Sequence, residues 1–157
     1  MHEKGKIILA DWLRSNGYNS PFHKLSEKEI EVLARLERAK ATGDIFVFKD
    51  IENGKKEYLM IEVKTCSPQY WRQAVLLGFA QVQYYRYLAH YAGLDSIIKA
   101  GVALVVSSKE WQEEIENLRR KPLTQRLKLN IYLNFLRDYG ITLYIVDLEA
   151  KKVKVLE

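Results

Sequence analysis

Residues 44–49 and 57–65 are two runs rich in β-branched and aromatic side chains, and Glu52-Asn53-Gly54-Lys55 lies between them. Asn-Gly flanked by two such runs is the strongest short-range hairpin signal. The pair is therefore expected to form an antiparallel hairpin. Centring its turn on Asn53-Gly54 sets Asp44 opposite Val63, or opposite Glu62 after a one-residue shift.

The second run carries an acid and an amine, Glu62 and Lys64, on an otherwise apolar strand. Residues two apart in a strand share a face, so these two project together with Cα atoms roughly 6.6 Å apart, while Leu59, Ile61 and Val63 point the other way into the core. Charged groups on an apolar strand are costly unless they are paired or bind an ion. A plain Glu–Lys ion pair on an edge strand would satisfy that condition. The hairpin, however, also brings Asp44 to the same open end, with neighbouring strands about 4.8 Å apart. Two carboxylates that close repel each other, and a divalent cation relieves the repulsion. Carboxylate oxygens suit Mg²⁺. Such a site suits phosphodiester hydrolysis: the metal polarises a phosphoryl oxygen and acidifies a bound water. Lys64 would position that water or stabilise charge in the transition state.

The remaining elements follow from periodicity. Residues 3–15 have a helical pattern through Ile7, Ile8, Ala10, Trp12 and Leu13, stopped at Asn16-Gly17-Tyr18. Ser26-Glu27-Lys28-Glu29 reads as a capping box opening a second helix, which Thr42-Gly43 ends. A long helix is expected over about 69–91 and a buried strand over 102–106. Helices are expected over 110–120 and 124–139, separated by Pro122, followed by a closing hairpin of 141–148 and 152–156. The order predicts an α/β fold with a central mixed β-sheet flanked by α-helices. The length of 157 residues suits one domain. Its core is expected over about 1–107, with 108–157 adding two helices and the hairpin.

Composition narrows the function classes. A single cysteine, Cys66, cannot form an internal disulfide or a Cys-only metal cluster within one chain, which points to a reducing, intracellular setting. The apolar run 7–10 is too short for a signal peptide, and no stretch approaches the roughly 18 apolar residues of a membrane span. The formal charge of +5 hints at a polyanionic partner.

Gly43-Asp44-Ile45 followed by Ile61-Glu62-Val63-Lys64-Thr65 resembles the signature of the PD-(D/E)XK nuclease superfamily. Downstream, Gln81-Val82-Gln83-Tyr84-Tyr85 is similar to the Gln-x-x-x-Tyr motif of its RecB-like members. The resemblance implies a restriction-endonuclease-like domain: a helix, a three-stranded antiparallel hairpin unit, a helix and a further strand. It also implies Mg²⁺ or Mn²⁺ held by Asp44, Glu62 and the Val63 carbonyl, a catalytic Lys64, and phosphate or water contacts from Gln81 and Tyr85. From the residues alone, Gln81, Tyr85 and Leu88 share one helical face, and Gly78 one turn earlier allows close approach to the sheet. Family members often carry a glutamate on the first helix. That position falls near Lys6 here, which leaves Glu3 one turn earlier, or His2, as the candidate ligand.

DNA is the expected partner. Arg119, Arg120, Lys121 and Arg126 are candidates to track its backbone, and Tyr70, Trp71 and Arg72 are candidates to stack on bases. A homodimer is a further candidate assembly. The competing reading of function is a nucleic-acid-binding or assembly protein on the same fold, with a degenerate active site.

Overall fold

A computed structural model of the chain describes residues 1–19, 27–40, 42–94 and 97–156. Ser26 of the expected capping box lies outside the described residues. The elements run α1 (His2–Ser15), α2 (Glu27–Arg38), β1 (Ile45–Asp50), β2 (Lys56–Thr65), α3 (Trp71–Tyr91), β3 (Ile97–Val106), α4 (Ser108–Arg120), α5 (Leu123–Asp138), β4 (Ile141–Asp147) and β5 (Lys152–Leu156). They form one mixed α/β domain around a five-stranded sheet of order β1-β2-β3-β4-β5. The two outer pairs are antiparallel, and β2, β3 and β4 are parallel to one another.

Local chemistry sets the element ends. Helix α1 stops at Gly17, whose φ of 91° is open to glycine, and Tyr18 N–H closes back on the Leu13 carbonyl at 3.1 Å. Helix α3 ends in the same way at Gly93, with Leu94 N–H bonded to the Ala89 carbonyl. Ser107 caps α4 by accepting the Glu110 N–H at 3.3 Å. The β1–β2 connection is longer than a two-residue Asn-Gly turn. Glu52–Gly54 forms a 3₁₀ turn, and Ile51 N–H donates to the Lys55 carbonyl at 2.9 Å.

Alternation along the strands divides the core into two layers. Leu59, Ile61 and Val63 of β2, with Ala103 and Val105 of β3, pack against Leu9 and Leu13 of α1. On the other face, Tyr58 and Met60 pack against α2, and Val102 and Leu104 pack with Val75 and Val82 of α3. Strand β3 starts five residues before the expected 102–106. Lys99 and Gly101 interrupt the apolar run there. Gly101 is required because a Cβ would stand 2.6 Å from the Tyr144 ring.

The expected three-stranded antiparallel unit is not complete among the described residues. Among the described residues, β1 and β2 pair before α3, and the second partner of β1 is Asn19, in an isolated antiparallel bridge with Phe48. No helix among the described residues is long and apolar enough to cross a membrane.

Candidate active site

The register of the first hairpin pairs Ile45 with Ile61, which sets Asp44 abreast of Glu62, the shifted alternative of the two expected from the turn. Asp44 lies just before β1 and extends the pairing with both backbone and side chain. Its N–H donates to the Ile61 carbonyl at 3.0 Å, and its Oδ2 accepts the Val63 N–H at 2.8 Å. Gly43 makes this possible. It has φ +74°, and a Cβ there would stand 3.0 Å from the Ile61 carbonyl oxygen and 3.6 Å from Glu62 Oε1.

Glu62 is buried, on the sheet face covered by α3. Burial and then the charge of Asp44 push its carboxyl up to about 7, against the opposing pull of Lys64. Lys64 Nζ stands 3.6 Å from Glu62 Oε2. On α3, the Tyr85 hydroxyl is raised by burial and by the charges of Glu62 and Asp44, offset in part by a hydrogen bond from Gln81. Asp44, Glu62, Lys64, Gln81 and Tyr85 therefore share one electrostatic neighbourhood. The Gln81 Oε1 atom is buried without a hydrogen-bond partner among the described residues. A buried amide oxygen without a partner is costly, and a bound water or ligand donor would satisfy it.

Helix α1 reaches the same place from the opposite face. His2 Nε2 donates to the Val63 carbonyl at 3.1 Å and stands 3.6 Å from Asp44 Oδ2. Glu3 is turned to solvent, where it meets His2 Nδ1 at 3.4 Å and Lys6 Nζ at 3.8 Å. Glu3, Lys6 and Arg14 line a cleft of about 380 Å³ that Asp44 also borders. The close seat of α1 depends on Gly5, where a Cβ would stand 2.3 Å from Val105 Cγ2. Glycine inside a helical pattern costs about 1 kcal/mol against alanine, so Gly5 within the run 3–15 is the one sequence feature that could have pointed to this contact.

A divalent cation fits part of this arrangement. Two adjacent carboxylates, one held against its charge by burial, favour a cation between them, and Mg²⁺ commonly binds through one or two carboxylates while keeping several waters. No group of three or more His, Cys, Asp or Glu side chains suited to holding a metal exists among the described residues. Glu3 and His2 therefore do not complete a cage with Asp44 and Glu62. The third donor expected, the Val63 carbonyl, already accepts the His2 hydrogen bond.

The proposed nucleic-acid contacts divide. Trp71 is only 3% exposed, with its ring edge-on to Trp111 and Tyr132 at 6.2 and 5.8 Å. It belongs to the core under α4 and α5 and has no free face for a base. Tyr70 and Arg72 are exposed. Arg72, Arg120 and Lys121 line a cleft of about 480 Å³ with Gln69 and Glu114. Arg119 and Arg126 instead border an apolar groove of about 440 Å³ between α4 and α5. A larger cavity, about 850 Å³, lies at the hairpin-turn end, lined by Glu29, Lys56 and His90 and away from the carboxylates.

No protein-family model matches this chain, and no curated protein matches its sequence.

Proposed function

We propose that this chain is an intracellular, metal-dependent nuclease that hydrolyses DNA phosphodiester bonds. The observation that carries the reading is the pairing of Asp44 with a buried Glu62 whose carboxyl is pushed up by burial and by its neighbour, with Lys64 alongside. A Mg²⁺ or Mn²⁺ ion bound by the two carboxylates would supply Lewis-acid polarisation of the phosphoryl oxygen and acidify a coordinated water. The ammonium of Lys64 directs donors at charge that builds on phosphate oxygens during attack. Gln81 and Tyr85 orient a water or phosphate oxygen from the α3 side. Lys6 and Arg14 offer cations along the cleft that leads to Asp44.

The test is incubation of the full chain with linear, circular and single-stranded DNA, with Mg²⁺ or with EDTA. Cleavage should need the metal and fall below detection in Asp44→Asn and Glu62→Gln. It should fall about 100-fold or more in Lys64→Met. Cleavage by Glu62→Gln at the wild-type rate would overturn the proposal.

One observation favours a second reading, a nucleic-acid-binding or assembly protein with a degenerate site. His2 Nε2 donates to the Val63 carbonyl, the backbone oxygen expected among the metal's ligands. That reading expects salt-sensitive DNA binding with no metal-stimulated cleavage, and no gain of cleavage in His2→Ala.

A further inference from the structure

We propose that the outer face of α3, continued by α5, is the contact surface between two copies of this chain. Leu77, Ala80, Tyr84, Tyr87 and Tyr91 recur at alternating spacings of three and four along α3, the pattern of a helix–helix seam. The structure leaves this seam in water: Tyr84, Tyr87 and Tyr91 are 60%, 65% and 82% exposed. At 100° per residue, Gln81 and Tyr85 fall on the flank nearer the carboxylates, and Leu76 and Tyr87 fall on the flank nearer α5. Helix α5 extends the surface. Phe79 meets Phe135 and Tyr139 at ring-centroid distances of 5.3 and 5.7 Å, both rings partly exposed, and Ile131, one turn before Phe135 on α5, is exposed as well.

Charge selects the occupant. In a chain with 29% charged residues, α3 holds only two among its 21, Arg72 and Arg86. Arg86 is tied to Gln83 and to the Tyr139 carbonyl. The seam therefore offers few cations to a phosphate backbone, although nucleic-acid affinity rests on phosphate neutralisation. The α3 seam is uncharged, and α5 adds Arg126, Lys128 and Arg137. The seam itself is complementary to its copy, because a two-fold axis sets the same patch against itself without like-charge repulsion there. Its size is sufficient. At roughly 200 Å² per aromatic side chain, the exposed parts of Tyr84, Tyr87, Tyr91, Phe135 and Tyr139 offer about 600 Å² before the leucines and Ile131 are counted. A standard interface buries about 800 Å² on each partner.

The experiment is sedimentation of the full chain up to about 100 µM, a range that captures even a weak dimer. The wild type should sediment as a dimer. Tyr84→Glu with Tyr87→Glu should raise the dimer dissociation constant about 100-fold or more while leaving the circular dichroism spectrum unchanged. Tyr91→Glu alone, at the exposed end of the helix, gives the same readout with less risk to folding. A monomeric wild type, or glutamate variants that dimerise like the wild type, would overturn the proposal. A monomeric wild type whose single-stranded DNA binding is lost in the double variant would also overturn it, and would assign the face to stacked bases.

Discussion

At Glu62, burial and the charge of Asp44 act in the same direction, and the consequence is a measurable pH dependence. The carboxyl is held near 7 in the folded chain against an ordinary value of 4.5. Between those limits the folded state binds more protons than the unfolded state, so stability falls as pH rises from about 4.5 to about 7. Urea melts in EDTA at pH 5 and pH 8 should show this loss in the wild type and a smaller one in Glu62→Gln. Mg²⁺ at pH 8 should restore the wild type more than the variant. Glu57 has the opposite sign. Burial would raise it, but Lys99 at 2.6 Å and Lys49 at 3.4 Å outweigh burial and lower it. Its contribution is present above its unfolded value and is lost as pH falls through the lowered one, outside the window of Glu62. Glu57→Ala should cost about 1–3 kcal/mol, measured by urea denaturation at pH 7, because it leaves Tyr18, Lys49 and Lys99 without their shared acceptor.

At the scale of elements, two helices press on opposite faces of β3 through glycine. Gly5 of α1 meets Val105, and Gly78 of α3 meets Val102, where a Cβ would come within 2.8 Å of Cγ1. Both valines are buried and stiff at χ1, so neither can yield easily. Gly78→Ala should therefore destabilise by about 1–3 kcal/mol. Val102→Ala in the same chain should recover part of that loss, so a double-mutant cycle by denaturant melts should be clearly non-additive. Gly78 was legible in the sequence because it sat one turn before Gln81. Gly5 was visible only as an unexplained glycine in a helical run. The first half of β3 was not legible, since Lys99 and Gly101 break the apolar run there and the reason for Gly101 lies 43 residues away, in Tyr144.

At the scale of the whole molecule, the excess of five positive charges is divided among separate places. Lys6 and Arg14 line the cleft by Asp44, while Arg72, Arg120 and Lys121 line another near the start of α3. Each phosphate contact contributes about −0.9 to the slope of log affinity against log salt on duplex DNA. Arg120→Ala and Lys121→Ala should each reduce that slope by about 1 in binding titrations with EDTA. An unchanged slope would assign both residues to solvated surface. Trp71→Phe should leave the slope unchanged and lower the melting temperature instead, because the ring packs in the core.

The same-face placement of Glu62 and Lys64 was decided by the sequence alone, since two-residue alternation is a local property of any strand. So were most of the helices, the two antiparallel hairpins and the shared face of Gln81 and Tyr85. Tertiary structure decided the rest of the candidate site. The register at Asp44 depended on a 3₁₀ turn in place of the shorter Asn-Gly one. The seat of His2 on the Val63 carbonyl depended on how closely α1 meets β3. Trp71 was indistinguishable in sequence from an exposed stacking residue, and only the return of α4 and α5 over it made it core. In each case the deciding contact joins residues distant in the chain. Local periodicity fixes which way a side chain points, but not what the folded chain brings to meet it.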